Sequence, residues 1–415
     1  MKYQKRFADK ALAERLRSSG AVLIEGTKSC GKTETAKQIA AGIVRFDADE
    51  QLRIKMEIDP KSVLFGAVPL LLDEWQAYPQ IWNYVRREVD ERKRKGQFIL
   101  TGSATPDDRA KRHSGAGRFS IIKMRPMSFY EKGWSTGEVR LADLMRGEPP
   151  VSESAAFDIG ELAEKIMLGG WPGLIGESAA NGLRFTSDYI SLIADVDLSR
   201  VSNKRRDPHK VMRLLQSLAR NVSTEATIAA LAKDVGGDGG LDDETVAIYL
   251  AALERLMTVE NLPAWNVHIR SSDMLRKSPK RHFCDPSLAV GALGLSVDKL
   301  TSDLNRFGLL FESLAIRDLR IYADVEGGKL FHYRDSRGME IDAVAEYADG
   351  TWGAFEIKLG IGAADVAARN LLKFAAKIDT EKTKAPAALT VVTGNGFAHR
   401  RPDGVNVVPL STLTA

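Results

Sequence analysis

Gly26-Thr27-Lys28-Ser29-Cys30-Gly31-Lys32-Thr33 fills the pattern G-x-x-x-x-G-K-[ST] without a mismatch, and its surroundings decide how it folds. Ahead of it runs Ala21-Val22-Leu23-Ile24, an apolar stretch of strand type; behind it, Thr33-Glu34-Thr35-Ala36-Lys37 has helical composition. A buried strand that turns through glycines into a helix start aims successive backbone N–H groups at one point, which suits a polyphosphate. In that cradle Gly26 and Gly31 permit close backbone approach, and Thr27, Lys28, Ser29 and Cys30 form the turn around the phosphates. Lys32 is placed to reach the β and γ phosphates, and the Thr33 hydroxyl to ligate Mg²⁺. The competing reading is an ordinary glycine turn ahead of Lys-Thr.

Partners for such a loop follow at sensible distances. Val68-Pro69-Leu70-Leu71-Leu72-Asp73-Glu74 is an apolar run ending in two acids, the pattern of a buried parallel strand whose C-terminal end enters an active site. Asp73 would hold the metal through water, and Glu74 would polarise a water attacking the γ-phosphate. Taken alone, the same acids would read as a helix cap. A third strand, Gln97-Phe98-Ile99-Leu100-Thr101-Gly102-Ser103, ends in hydroxyls; Thr101 and Ser103 are both candidates to sense the γ-phosphate or orient the water.

With Gly115-Ala116-Gly117-Arg118 and Met124-Arg125-Pro126-Met127-Ser128-Phe129 the chain resembles a family: AAA+-type ATPases, mostly bacterial and archaeal, whose ATPase half is fused to a C-terminal domain of uncharacterised function. The resemblance also rests on the phosphate loop, the Leu-Leu-Leu-Asp-Glu run and the Leu-Thr-Gly-Ser segment, and it spans almost the whole chain. It implies ATP as the nucleotide and Arg118 as a transition-state arginine, acting in cis or across a subunit boundary in a homo-oligomer. The alternative for Arg118 is a solvated surface arginine in a basic stretch that includes Arg109, Lys111, Arg112 and His113.

At 415 residues the chain exceeds what one core usually organises, so two or three domains are expected. A formal charge of +4 permits nucleic-acid binding without demanding it. Basic islands occur at Arg86-Arg87, Arg92 to Lys95, Lys204 to Arg206 and Arg276 to Arg281, though such an island is most often a solvated helix face. The two cysteines, Cys30 and Cys284, offer neither a disulfide framework nor a cysteine zinc site, and a reducing cytoplasm fits. No stretch approaches the ~20 apolar residues of a spanning helix, so no membrane partner is expected.

Composition then suggests the divisions. Strands and helices alternate through about residue 130, giving an α/β parallel-sheet ATPase domain over residues 1–135. Gly133 to Ser154 is richer in Gly, Pro, Ser and charge and reads as a boundary. Residues 155–290 read as a helical or winged-helix segment, interrupted by Leu168-Gly169-Gly170-Trp171-Pro172-Gly173, an element that resembles the family's Gly-Gly-x-Pro and whose role is structural. Thr227 to Ala232 and Glu244 to Leu256 form a helix pair, followed by strand-like segments: a winged-helix outline. Its second helix opens on Asp242, Asp243 and Glu244, which favours packing or a protein partner over base reading. The basic segment 266–282, with His268, Arg270, Arg276, Lys277, Lys280 and Arg281, is the better candidate to contact phosphates of DNA.

The third unit, residues 300–415, carries a second signature. Gly308 to Ala315 opens a helix with Glu312, Glu340 to Ala345 is a strand with Asp342, and Trp352 to Lys358 is a strand ending Glu356-Ile357-Lys358. Alternation puts Glu356 and Lys358 on one face, and neighbouring strands can bring Asp342 and Glu356 together. This resembles the PD-(D/E)xK core of restriction-endonuclease-like folds, which implies a divalent metal on Asp342 and Glu356, Lys358 on the attacking water, and Glu312 as the acid of the first helix. Ile341-Asp342 departs from the Pro-Asp of that pattern. The expectation is an Mg-ATP hydrolase coupled to a nuclease-like domain acting on DNA; the alternative is an ATP-dependent switch that recruits a protein or regulates DNA binding over an inert C-terminal scaffold.

Overall fold

A computed structural model describes residues 3–47, 50–103, 114–153, 157–199, 206–236, 240–266, 278–381 and 383–415. The basic residues Arg109, Lys111, Arg112, His113, Lys204, Arg205, His268, Arg270, Arg276 and Lys277 lie outside the described residues.

In the N-terminal unit, helix α1 (Phe7–Ser18) leads into β1 (Ala21–Glu25), α2 (Lys32–Lys37), β2 (Gly42–Arg45), α3 (Glu50–Ile58), β3 (Leu70–Asp73), α4 (Ile81–Arg92), β4 (Phe98–Gly102) and β5 (Phe119–Lys123). The strands form one parallel sheet in the spatial order β2-β3-β4-β1-β5. Every residue of β3 and β4 is buried, as apolar runs without polar alternation demand of a sheet covered on both faces. The two-residue period sorts them: Leu70, Leu72, Phe98 and Leu100 pack with Val85, Trp75 and Trp82, while Leu71, Ile99, Val22 and Ile24 pack with Leu12 of α1 and Ala36 of α2. All five strands point the same way, so the loop after β1 and the ends of β3 and β4 collect at one edge.

The segment read as a boundary is not a loose tether. It holds β6 (Val139–Arg140) and α5 (Leu141–Leu144), whose Val139, Leu141 and Leu144 are buried. The helical unit follows with α6 (Ile159–Leu168), α7 (Ala179–Leu192) running into a π-helical turn Ile193–Asp197, α8 (Pro208–Arg220), α9 (Ile228–Val235) and α10 (Asp243–Arg255). Side-chain caps begin most of these helices: Asp158, Ser178, Asp207, Thr227 and Asp242 each accept an amide of the first turn. After α10 the chain runs antiparallel to itself, with Val259 opposite Phe283 and Leu262 opposite Lys280, so helix pair and β-arm occur in the expected order.

Helices α11 (Ser287–Leu293), α12 (Val297–Ser302) and α13 (Leu304–Val325) lead into β7 (Lys329–Arg334), β8 (Glu340–Glu346), β9 (Trp352–Lys358), α14 (Ala364–Lys377), β10 (Ala388–Thr393), β11 (His399–Arg400) and β12 (Asn406–Pro409). The sheet has the order β11-β12-β10-β9-β8-β7, antiparallel from β7 to β9 and parallel from β9 through β10 to β12. The last strand, β13 (Leu413–Thr414), returns to pair with β6. One apolar core therefore runs from Phe129 to Ala415, with no break near residues 290–300. Among the described residues no helix is long and apolar enough to cross a membrane.

Candidate nucleotide site and carboxylate cluster

The loop after β1 has the backbone that its sequence demands. Gly31 sits at φ +102°, and a Cβ on Gly26 would stand 2.1 Å from the Met124 carbonyl oxygen, so neither tolerates a side chain. Ser29 also takes a positive φ, 60°, inside the turn. Helix α2 is only six residues long, so the loop's curled backbone contributes more to anion binding than a helix dipole does. Lys32 is 5 % exposed and folds back on the loop, donating to the carbonyls of Gly26 at 2.9 Å and Thr27 at 2.8 Å. Cys30 is buried, its thiol directed at the Met124 carbonyl.

The acids stand where the strand ends predict. Asp73 Oδ1 accepts from Thr33 Oγ1 at 2.8 Å and from Thr101 Oγ1 at 2.5 Å. Register explains the second bond: Asp73 is the direct neighbour of Thr101 across β3 and β4. Glu74 has left the strand at φ 53°, a conformation costing about 1 kcal/mol or more for a side-chain-bearing residue. Its carboxylate is bonded by Gln76 and by Ser103 at 3.4 Å. The two hydroxyls left open by the sequence thus take different partners, Thr101 the first acid and Ser103 the second. Thr33 and Asp73 place two hard oxygen donors side by side at the mouth of the loop, a donor set that fits Mg²⁺.

Several contacts on this loop have no motif. Arg6 donates to the Cys30 carbonyl and the Arg125 carbonyl, both at 2.8 Å, and pairs with Glu131 at 3.0 Å. From the helical unit, Tyr189 of α7 meets Thr27 Oγ1 at 2.7 Å and the Lys28 carbonyl at 3.3 Å, and Asp197 at the end of the π turn pairs with Lys28 at 2.6 Å. Burial pushes the Tyr189 hydroxyl well above its ordinary pKa, so it stays a neutral donor. The only sequence signal for this pair is eight-residue spacing on one helix, too common to select them.

Arg118 is placed elsewhere. It immediately precedes β5, level with the start of β1, and its guanidinium pairs with Asp90 of α4 at 2.9 Å. The phosphate loop follows the other end of β1, roughly 17 Å away at ~3.3 Å per residue. The in-cis arginine is therefore corrected: sheet polarity separates it from its own chain's loop.

The C-terminal acids do come together, around two lysines. Lys280 Nζ lies 2.7 Å from Glu312 and 3.4 Å from Asp342; Lys358 Nζ lies 3.1 Å from Asp342 and 2.7 Å from Glu356. Asp342 also accepts the Ile357 amide at 2.8 Å, and Glu356 accepts from Asn370 of α14 at 2.6 Å. Burial, with the neighbouring Asp342 charge, holds Glu312 and Glu356 above the usual carboxylate range. Burial acts on Asp342 in the same direction, but Lys280, Lys358 and the Ile357 amide outweigh it and hold Asp342 low. Among the described residues no three carboxylate, imidazole or thiolate groups assemble as a metal set. The divalent metal expected of a nuclease-like core does not fit this arrangement, because lysine nitrogens already stand against its oxygens.

Two residues of the expected phosphate-contacting edge lie among the described ones, and both are turned inward. Lys280 and Arg281 are 5 % and 8 % exposed, and Arg281 donates to Asn261 at 2.9 Å, so neither is presented to a nucleic-acid backbone.

Comparison with known proteins agrees with the N-terminal geometry. Residues 18–132 match the AAA domain family, residues 159–299 a domain of unknown function (DUF8612) and residues 307–413 another (DUF4143). The chain thus carries an AAA-type ATPase domain. It is 25 % identical over 364 residues to uncharacterized proteins of Mycobacterium bovis and Mycobacterium tuberculosis, covering 86 % of this chain and 74 % of each relative. Among solved structures, a Walker-type ATPase of Pyrococcus abyssi aligns at 12 % identity and TM-score 0.41, over 69 % of this chain and 94 % of that one. AMPPCP-bound DnaA from Aquifex aeolicus aligns at 16 % identity and TM-score 0.24, over 61 % and 89 %.

Proposed function

We propose that the N-terminal domain binds and hydrolyses Mg-ATP and that the helical unit resting on its phosphate loop reads the occupancy, making the chain an ATP-driven switch. The observation that carries this reading is the convergence of Lys32, Thr33, Asp73, Thr101 and Glu74 at one edge of the sheet. Lys32 exchanges its two carbonyl partners for the β and γ phosphates, keeping its ammonium fully bonded while neutralising charge. Thr33 and Asp73 would hold Mg²⁺, which would neutralise charge on the phosphates. Thr101 fixes the Asp73 carboxylate; Glu74, beyond the strand end and steadied by Gln76 and Ser103, orients the attacking water and accepts its proton.

ATP turnover by the purified chain tests this. Lys32→Ala and Glu74→Gln are each expected to lower the rate by about 10²-fold or more; undiminished turnover in both refutes the reading. Contacts of Tyr189 and Asp197 with the loop favour a switch acting through this chain's own helical unit and, beyond it, a protein partner. A nucleolytic output on DNA is the second reading, drawing on the meeting of Asp342, Glu356 and Lys358. Metal-dependent cleavage that disappears in Asp342→Ala would restore it. An Arg118 acting across a subunit boundary of a homo-oligomer belongs to the same set of proposals, tested by ATPase rates in mixtures of wild type and Arg118→Ala.

A further inference from the structure

The carboxylate cluster is joined to the rest of the chain by a residue outside the nuclease-like pattern. Lys280 lies on the arm after α10 and is fixed by two backbone bonds with Leu262, at 2.9 and 3.0 Å. Its side chain, 6 % exposed, reaches Glu312 on α13 and Asp342 on β8 together. An ammonium anchored at its backbone cannot diffuse away as an ion does.

We infer that the Lys280 ammonium is a built-in cation, standing where a divalent metal would bridge Glu312 and Asp342 and excluding metal from the C-terminal domain. Charge counting supports the exclusion. Three carboxylates, Glu312, Asp342 and Glu356, face two ammonium groups, Lys280 and Lys358, for a formal sum of −1. One proton retained by a carboxyl group brings that to zero. A divalent ion added to the ionised cluster would leave +1 in a buried site, within a few ångströms of two like charges, which burial penalises. Removing the Lys280 charge changes the sum to −2, which one divalent ion balances.

The inference is independent of the ATPase reading and is tested without nucleotide. Mn²⁺ binding to the full-length chain is followed by the loss of the free-ion electron paramagnetic resonance signal, and thermal unfolding is recorded with and without Mn²⁺. Wild type and Asp342→Asn are expected to bind Mn²⁺ equally, so any ion at the phosphate loop cancels. Lys280→Met is expected to gain one site, lost again in Lys280→Met/Asp342→Asn, and to show a Tm that rises further with Mn²⁺ than that of wild type or of the double variant. Binding by wild type that vanishes in Asp342→Asn overturns the inference, as does a folded Lys280→Met that gains no site. Should Lys280→Met fail to fold even in Mn²⁺, the comparison of wild type with Asp342→Asn decides alone, equal binding supporting the inference and unequal binding refuting it.

Discussion

Glu312 is a residue whose proton couples folding to pH. Buried beside Asp342 and only partly compensated by Lys280, its carboxyl titrates above the usual range in the folded chain. Below the ordinary glutamate pKa of ~4.3 both folded and unfolded chains hold the proton, and its contribution is fully present. As pH rises past that value the unfolded chain releases the proton while the folded one keeps it, so stability falls, by up to ~1.4 kcal/mol per pH unit for one proton, until the raised native value is passed. Urea midpoints between pH 5 and pH 8 should therefore fall for wild type and fall less for Glu312→Gln; an identical decline in both would contradict this titration. At this scale the sequence was legible for the phosphate loop, because eight consecutive residues carry it, and for Asp73 and Glu74, because a buried strand ends on them. It did not separate Thr101, in β4, from Ser103, just past its end, because two-residue spacing gives both the same side in an extended chain. Register against Asp73 distinguishes them. Nor did it show that Lys280 is internal, since a run of basic residues looks alike whether solvated or paired.

The element that turns the ATPase domain into a candidate switch is α7 with its π turn. One extra residue per turn occurs there, and π turns are frequent at functional sites. Asp197 at the end of this turn holds Lys28, whose side chain is 45 % exposed, so the pair contributes no more than ~1 kcal/mol. If nucleotide binding breaks the contact, Asp197→Asn should tighten ATP affinity by up to ~5-fold, the equivalent of that energy. Calorimetric titration of both proteins measures it, and unchanged or weaker binding would rule out a latch. Helix α7 itself follows from its apolar spacing and the Ser178 cap, but its docking does not: Tyr189 lies 162 residues from Thr27 along the chain, beyond any local pattern. The glycine pair after α6 ends that helix at Gly169 and also permits a close approach. A Cβ on Gly170 would stand 2.2 Å from the Met127 carbonyl oxygen, where the helical unit meets the ATPase domain.

Across the whole molecule, buried charge joins the three units. Glu260 from the β-arm accepts from Arg125 of the ATPase domain at 2.7 Å and lies 3.4 Å from Arg320 of α13, which keep its carboxyl well below the usual range against the opposing effect of burial. Arg317 of the same helix bridges Asp285 and Asp318, and Asp318 accepts the Phe129 amide at 2.8 Å. Removing one partner of such a buried pair typically costs ~3–5 kcal/mol, enough to fix how the units sit. Composition suggests three units but carries no sign of how they join, because the return of β13 to β6 and the core shared from Phe129 to Ala415 are contacts between distant segments. All of this framework surrounds one loop, whose occupancy by a nucleotide is the premise of the account. Equilibrium titration of wild type and Lys32→Ala with Mg-ATP tests it most directly. Saturable binding of one ATP per chain, weakened at least tenfold by the substitution, is the predicted result; absence of binding to wild type, or equal affinity in the two proteins, would contradict it.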